Sequence, residues 1–426
     1  MVERLHDDAA LPPLGAIKSG LQRTTETLAA ELAHPSGETP AWTELEWRLA
    51  TAAATAHGVA SLLSVYPRWQ HPNWSRFIDS QYQHVAQRHQ RIAALLQRID
   101  IEAREAGIAL VALKGSALHA LGIYAAGERP MADIDLLVSD EQAARAGQLI
   151  EALGYAQSFA CWKHRVYKPL HGKPVHGLGE HRDTPINIEL HTRIQERLPV
   201  ATVDITARIY PREALPGINA YPSLGALMCH LLLHAAGNVC GRSLKLIHLN
   251  DISLLASRML RSDWHALWNH ESGESPWWAL PPLRLVARYY DQAVPSALLY
   301  ELEGECHALL RNASRHRTLT QASCSALWIH AWAGFEWVRS VREAGRYLRQ
   351  RLRPSAEARQ EREDMIRTQL WLQPVPWVRS RQWRRILTLL TRPVPRMDTM
   401  YVVRAALRPS PATRTQRAEA AVSTCR

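Results

Sequence analysis

Two short stretches of the chain carry the side chains best suited to chemistry. They are LKGSALHALGIYAAGERPMADIDLLV, residues 113–138, and INIELH, residues 186–191. Asp133 and Asp135 stand two apart at the start of an apolar run. Because side chains alternate along a strand, we expect both carboxylates on one face. Two like charges held this close are costly unless a cation lies between them, and carboxylate oxygens suit Mg²⁺.

A second candidate feature lies before the acidic pair, where an apolar run ends in Lys114, Gly115 and Ser116. If a helix begins here, its free backbone N–H groups favour a phosphate, and a glycine lets the backbone approach it closely. Lys114 and Arg129 flank the motif and could neutralise phosphate charge, Lys114 as a point charge and Arg129 as a fork. Solvent-exposed loop cations are the alternative for both.

Glu189 and His191 lie in the second stretch, which alternates as a strand does. Glu189 could supply a third carboxylate to the metal site. His191 shares its face and could orient a carboxylate or contact the substrate. A half-buried histidine with its hydrogen bonds satisfied is an equally good interpretation.

The elements that must position these residues are predicted by apolar periodicity. Short buried runs indicate strands, and longer amphipathic runs indicate helices. The strands are expected at residues 108–113, 134–138 and 186–191, with helices at 117–126 and 141–153.

The predicted fold is α+β, with a small mixed sheet and helices flanked by helical regions on both sides. We expect five segments along the 426 residues: a flexible N-terminal segment (1–40), a helical region (41–107), a catalytic domain (108–222), a second helical domain (223–347) and a basic Arg-rich segment (348–426).

The order of these motifs resembles the polymerase-beta-like nucleotidyltransferase superfamily, in which Gly-Ser precedes an Asp-x-Asp and a third acid follows. LKGSAL, RPMADIDLLV and IELH, between helical regions, resemble more closely the bacterial "uncharacterised nucleotidyltransferase" family. The resemblance covers about residues 42–260. Members of this family resemble the products of genes found beside those for natural-product and surface-polysaccharide biosynthesis, including ribosomal peptides such as lasso peptides.

The resemblance implies a role for each motif residue. Asp133 and Asp135 would bind Mg²⁺ (or Mn²⁺), and Glu189 would complete the metal site or accept the proton of the attacking hydroxyl. Gly115 and Ser116 would hold the triphosphate of a nucleotide such as ATP or GTP.

The reaction so implied is transfer of a nucleoside monophosphate to an acceptor hydroxyl, with release of pyrophosphate. The acceptor would be a small molecule or a peptide. Three alternatives remain open: phosphoryl transfer from the same site, a non-catalytic nucleotide- or peptide-binding accessory protein, and a toxin–antitoxin-type transferase acting on RNA or protein.

Two further residues are candidates for a substrate cleft. His230 and His234 are four apart on an apolar helix, which favours core histidines over a zinc site, and a substrate-facing role is open for His234. Asp251 is a lone acid in an amphipathic run and could face the cleft or form a salt bridge.

The positive charge is concentrated at the C-terminus. Residues 341–426 contain 19 Arg, no Lys and 7 acids. The whole chain has a net charge of +11, so all of the positive excess lies in this segment. This favours an Arg-biased solvated surface over a nucleic-acid site, since no recognised RNA- or zinc-binding motif supports the latter.

Location is predicted from the apolar runs and the cysteines. The longest run, residues 224–237, has 14 residues and two histidines, so no membrane span is expected. The acidic N-terminus argues against a signal peptide, and six scattered cysteines suit a cytoplasmic protein.

Overall fold

A mixed β-sheet forms the middle of the chain. The computed structural model describes residues 11–66, 68–172, 175, 177–267, 275–323, 334–356 and 397–407, with a few positions between 358 and 387. Within them, the sheet has six strands in the order β3-β4-β5-β2-β1-β8. The strands are β1 Ala109–Ala112, β2 Asp133–Val138, β3 Tyr155–Ala160, β4 His164–Pro169, β5 Asn187–His191 and β8 Gly217–Asn219, and β6 Gln195–Arg197 and β7 Thr202–Asp204 form a separate hairpin.

The strand directions bring the two acidic strands side by side. β2 runs parallel to β5 and antiparallel to β1, and β4 pairs antiparallel with β5. The alternation of side chains divides the apolar residues between two cores. Leu110 and Leu136 pack into one, while Val111 and Leu137 pack into the other. Both faces of the central strands are therefore buried, which explains their nearly continuous apolar sequence.

Helices cover both faces of this sheet and extend beyond it at both ends. They are α1 Leu14–Ala33, α2 Glu44–Ala56, α3 Pro72–Glu105, α4 Gly115–Ala120, α5 Ala143–Ala152, α6 Thr206–Ile209, α7 Leu224–Gly241, α8 Leu246–Ala256, α9 Arg261–His265, α10 Leu280–Tyr289, α11 Ser296–Glu305, α12 Ala308–His316, α13 Leu319–Ala322, α14 Val341–Leu352 and α15 Met397–Leu407. Short 3₁₀ turns occur at Leu62–Val65, Asp140–Gln142, Trp277–Ala279 and Phe335–Trp337. The architecture is the α+β class that the sequence predicts.

The N-terminal segment corrects one prediction. Residues 1–40 were expected to be flexible, but α1 occupies Leu14–Ala33, and Ile17, Leu21 and Leu28 are fully buried in the main core. The apolar residues recur at helical spacing, and α2 provides the surface that they need. Residues 1–10 lie outside the described part.

The basic C-terminal segment also contributes to the core. α15 packs against α2, and its Val403 is fully buried. Arg48 of α2 donates through Nε to the carbonyl of Ala406 at 3.2 Å. This part of the Arg-rich segment is therefore packed structure rather than a solvated surface.

Helix α7 is longer than the apolar run from which it was predicted. With 18 residues and a mean hydropathy of 1.4, it could cross a membrane by length and composition alone, so the length argument against a span was wrong. Two thirds of it (67%) is buried inside the fold, as in a core helix. Ser223 caps its N-terminus by accepting a hydrogen bond from the Ala226 N–H at 3.1 Å.

Candidate active site

The three predicted carboxylates meet on one face of the sheet. Asp133 and Asp135 lie on the same side of β2, and Asp135 is directly opposite Glu189 on the parallel strand β5. This is the face that Val111 and Leu137 share with the core around α7. The pairing of β2 with β5 joins two sequence stretches that are more than 50 residues apart.

Asp133 is the member of this cluster whose positive neighbours, Lys114 and Lys245, act only at a distance and do not offset burial. Within the described residues no hydrogen bond or ion pair engages its carboxylate, while Asp135 and Glu189 lie close enough to repel it. Burial, reinforced by these two negative charges, raises the pKa of Asp133 to about 7. An unpartnered, half-buried carboxylate beside two others is the arrangement expected of a cation site.

Asp135 has the opposite environment. Its Oδ1 lies 3.0 Å from Lys114 Nζ and 3.0 Å from His191 Nε2. Burial would raise its pKa, but Lys114 and His191 outweigh burial and hold the pKa well below the usual range. The same ion pair offsets burial at Lys114 and raises the pKa of its ammonium. Lys114 is thus a buried cation directed at the carboxylates, as expected for a residue near phosphates.

The turn before α4 has a strained backbone at Lys114. Its φ of 46° and ψ of −113° lie outside the regions that L-residues prefer. The Lys114 N–H donates to Tyr221 Oη at 3.2 Å, and Tyr221 Oη is 2.8 Å from His230 Nδ1. Burial lowers the pKa of His230 well below its ordinary value, so the neutral ring accepts the tyrosine proton. His230 thus supports the turn, which agrees with a core role.

Gly115 is required by a close neighbour. A Cβ at this position would lie 2.4 Å from Arg129 Nη1 and 3.0 Å from Met131 Cγ. The Ser116 side chain is buried, and its hydroxyl lies 4.0 Å from Met131 Sδ. Both residues stand at the start of α4, as predicted. The helix was predicted to continue to residue 126, but it ends at Ala120. Gly122, two residues beyond this end, adopts a φ of 63°.

Asp251 forms the salt bridge that was one of its two predicted roles, and its partner is Arg129. Arg129 donates to both Asp251 oxygens, through Nε at 2.8 Å and Nη2 at 2.7 Å, and Tyr124 Oη donates to Oδ1 at 2.8 Å. Asn250 Nδ2 donates to Tyr124 Oη at 2.8 Å. Arg129 is therefore not a free fork for phosphate, and Asp251 is not an open cleft acid. They join the catalytic domain to α8.

His234 lies at the border of the same cleft. Its Nδ1 is 3.8 Å from Glu196 Oε1, and Lys163 pairs with the other oxygen of Glu196. Burial, with the charge of Lys114, lowers the pKa of His234, which places it in electrostatic reach of the site. Gly237 lets Glu196 lie against α7, since a Cβ there would be 2.8 Å from the carboxylate. A substrate-facing role for His234 stays a prediction.

Three residues at the site were missed by the sequence reasoning. Lys163 and His164 lie in a stretch without a recognisable motif, and only the pairing of β4 with β5 brings them to the site. Arg88 did leave a signal, because it stands at helical spacing between the buried Val85 and Ile92 of α3. A buried arginine in an apolar stripe implies a specific set of acceptors.

Those acceptors lie just before the two acidic strands. Arg88 donates through Nε to Met131 O at 2.9 Å, through Nη2 to Ala132 O at 2.7 Å, and through Nη1 to Thr184 O at 2.5 Å. One side chain thus holds the entries to β2 and β5 together. Arg88 fixes the distance between the strands that carry the carboxylates.

The donor set fits a divalent cation. Asp133 and Glu189 offer oxygen atoms to the cleft, and Asp133 has no competing donor among the described residues. His164, Glu189 and His191 also form a group whose ligand atoms all lie within 4.8 Å of one another. The site can therefore bind a metal ion together with the phosphates that Lys114 and the α4 turn would attract.

Comparison with known proteins gives one result that bears on this site. No curated protein and no solved structure matches the chain. The model of a family described as "Uncharacterised nucleotidyltransferase" matches residues 43–273, more than half of the chain and all of the residues placed at the site above. The chain therefore belongs to the uncharacterised nucleotidyltransferase family.

Proposed function

We propose that the protein transfers a nucleoside monophosphate from a nucleoside triphosphate to an acceptor hydroxyl and releases pyrophosphate. The observation that carries this is the unpartnered Asp133 beside Asp135 and Glu189, with a buried lysine and a glycine–serine turn on the same side. Acids alone would suit many metal sites. Acids with a phosphate-directed turn suit a metal–triphosphate complex.

The protein residues divide into two groups. Asp133, Asp135 and Glu189 would hold Mg²⁺ or Mn²⁺, which when bound offsets phosphate charge and lowers the pKa of a hydroxyl. Lys114 Nζ, held at Asp135, supplies positive charge to the phosphates. The Gly115 backbone N–H adds a donor at the start of α4, whereas the Ser116 N–H already donates to Leu113 O at 3.1 Å.

Glu189 is also the residue that we assign to the acceptor proton. Burial raises its pKa, but the hydrogen bond from His191 outweighs this and lowers the pKa of the carboxyl, so Glu189 is ionised near neutrality. An ionised carboxylate in reach of the reaction centre can accept a proton. His191, with its pKa raised by Asp135 and Glu189 against the effect of burial, keeps the two acids oriented.

The acceptor is assigned only by class. The family resemblance favours a small molecule or a peptide, with a location in the cytoplasm. His234, Lys163 and Glu196 lie together where β6 meets α7 and are the side chains that we propose to contact the acceptor. ATP or GTP is the proposed donor.

The test is incubation of the purified full-length chain with Mg²⁺ and each α-labelled nucleoside triphosphate, with a lysate as acceptor source. Label transfer with pyrophosphate release, lost in Asp133→Asn, supports the proposal. Movement of a γ-label in place of the α-label would reassign the site to phosphoryl transfer. Mg²⁺-dependent nucleotide binding without turnover, with acceptor fractions tested exhaustively, would indicate an accessory protein. Label on RNA would favour a toxin–antitoxin-type role.

A further inference from the structure

We propose that His164, Glu189 and His191 form a binding site for a first-row transition metal ion, beside the Mg²⁺ position at Asp133. The inference rests on the proposed function only in placing Glu189 at the same reaction centre. It adds two nitrogen ligands to a site that the sequence motif presents as purely carboxylate.

Strand pairing brings the three side chains together. His164 on β4 is directly opposite His191 on β5, and Glu189 lies two residues before His191 on the same face. His164 Nε2 lies 3.4 Å from Glu189 Oε2, and His191 Nε2 lies 3.6 Å from the same oxygen. Ligand atoms in a tetrahedral site with bonds of about 2.1 Å are separated by roughly 3.4 Å. The spacing already matches that of ligands around one ion.

The distances fit hydrogen bonding less well. A good N–H···O bond is about 2.7–3.2 Å long, so His164 at 3.4 Å makes at best a weak one to Glu189. The other ring nitrogen, His164 Nδ1, is buried and has no hydrogen-bond partner among the described residues. A half-buried imidazole whose Nδ1 is enclosed without a partner is costly unless the ring serves another purpose. Metal ligation by Nε2 is that purpose.

The ligand types decide which ion would bind. Mg²⁺ prefers oxygen atoms and retains water, whereas two imidazoles and one carboxylate suit zinc, iron and related ions. His191 Nε2 hydrogen-bonds Asp135 Oδ1 at 3.0 Å, so ligation of the ion by this nitrogen would release that proton. The site would hold two ions of different kinds.

The experiment is titration of the chelator-treated, full-length protein with Co²⁺, followed by visible absorption. We expect one equivalent of Co²⁺ to give the intense bands of four- or five-coordinate cobalt, displaced by Zn²⁺ but not by excess Mg²⁺. His164→Gln should weaken Co²⁺ binding at least about tenfold. Glu189→Gln should do the same, which provides a second variant if the first folds poorly.

Two controls test the assignment. His84→Gln removes one of a surface pair, His84 and His181, whose rings are 4.6 Å apart, and should leave the bands unchanged. Asp133→Asn should keep the bands while abolishing transfer. If His164→Gln loses the bands, the metal site is supported. If the wild-type protein also shows no nucleotidyl transfer, that result counts against the proposed function alone. Transfer with Mg²⁺ alone, and a cobalt spectrum like that of the aqueous ion, would overturn the metal site only. Equal Co²⁺ affinity in His164→Gln and wild type would also overturn it.

Discussion

Two acids of this protein, the half-buried Asp133 and the fully buried Asp251, stand in opposite environments. Asp251 receives both nitrogens of the Arg129 fork and the Tyr124 hydroxyl, so its charge and its lone pairs are satisfied within the fold. Asp133 has no such partner among the described residues, and its neighbours Asp135 and Glu189 raise its pKa further. Burial alone therefore does not mark a functional acid. A ligand site is indicated by a carboxylate that receives no hydrogen bond or ion pair from the described part of the fold.

The largest expected effect comes from removing the unpartnered charge. Asp133→Asn should reduce nucleotidyl transfer by about 10³-fold or more, since a bound cation supplies several kcal/mol of charge stabilisation. Stability should not fall, because the substitution relieves repulsion in the cluster. Rate assays and thermal melting of the same preparations measure both. A melting temperature well below that of wild type would show that Asp133 has a structural partner after all.

The next effect concerns the cluster of Asp251, Arg129 and Tyr124, in which the charges are paired. Asp251→Ala should lower the free energy of unfolding by about 3–5 kcal/mol, because it leaves Arg129 charged, buried and unpaired. The double variant Asp251→Ala/Arg129→Met should recover much of this loss. Urea denaturation of the two variants and wild type measures it. If the double variant were as unstable as the single one, the loss would come from Tyr124 and Asn250 instead.

A smaller effect is expected from the residue that holds the acidic strands together. Arg88→Lys keeps the charge but leaves strand-entry carbonyls without donors, which should cost about 2 kcal/mol of stability. It should also weaken cation and nucleotide binding about tenfold, because Arg88 holds in place the strands that carry the carboxylates. Isothermal titration calorimetry gives the affinity. Arg91→Lys is the matched control, because Arg91 lies one turn along α3, is exposed and donates to Arg182 O. Equal losses in the two variants would remove the special role of Arg88.

At neutral pH the smallest effect lies outside both clusters, and it grows as the pH falls. His57 is fully buried, and its Nδ1 accepts the Leu246 N–H at the start of α8 at 3.0 Å. Burial, with Lys245 nearby, lowers its pKa from 6.5 to about 3. Between these values the unfolded chain binds a proton that the native chain does not, so stability falls as the pH drops from 6.5 toward 3. The contribution is about 1.4 kcal/mol per pH unit.

Replacement of this histidine isolates its contribution. His57→Asn offers an acceptor that does not titrate, so the slope of unfolding free energy against pH should decrease by one proton between pH 6.5 and 4.5. Glu303, with a pKa of about 2 beside Arg315 and Arg284, contributes only below its ordinary value near 4.5. An unchanged slope in His57→Asn would mean that this histidine is already charged in the native state.

The sequence predicted the chemistry of the site better than its surroundings. The strands predicted at residues 134–138 and 186–191 are present, and the α+β class with flanking helices is confirmed, because period and apolar runs are local properties. The family that the motifs indicated is confirmed as well. Of the two roles left open for Asp251, the structure shows the salt bridge, and its partner Arg129 is not the phosphate fork that was predicted, because charge and position beside a motif do not reveal a partner 122 residues away.

The sequence by itself determined which residues could bind a cation and a phosphate: the acid pair, the glycine–serine turn and the later glutamate. Only the tertiary structure decided which of them would be left without a partner. The pairing of β2 with β5 sets Asp135 opposite Glu189, the pairing of β4 with β5 adds His164, and α8 takes Arg129 away from the site. Neutralisation of a charge depends on distance across the fold, and spacing along the chain does not encode that distance.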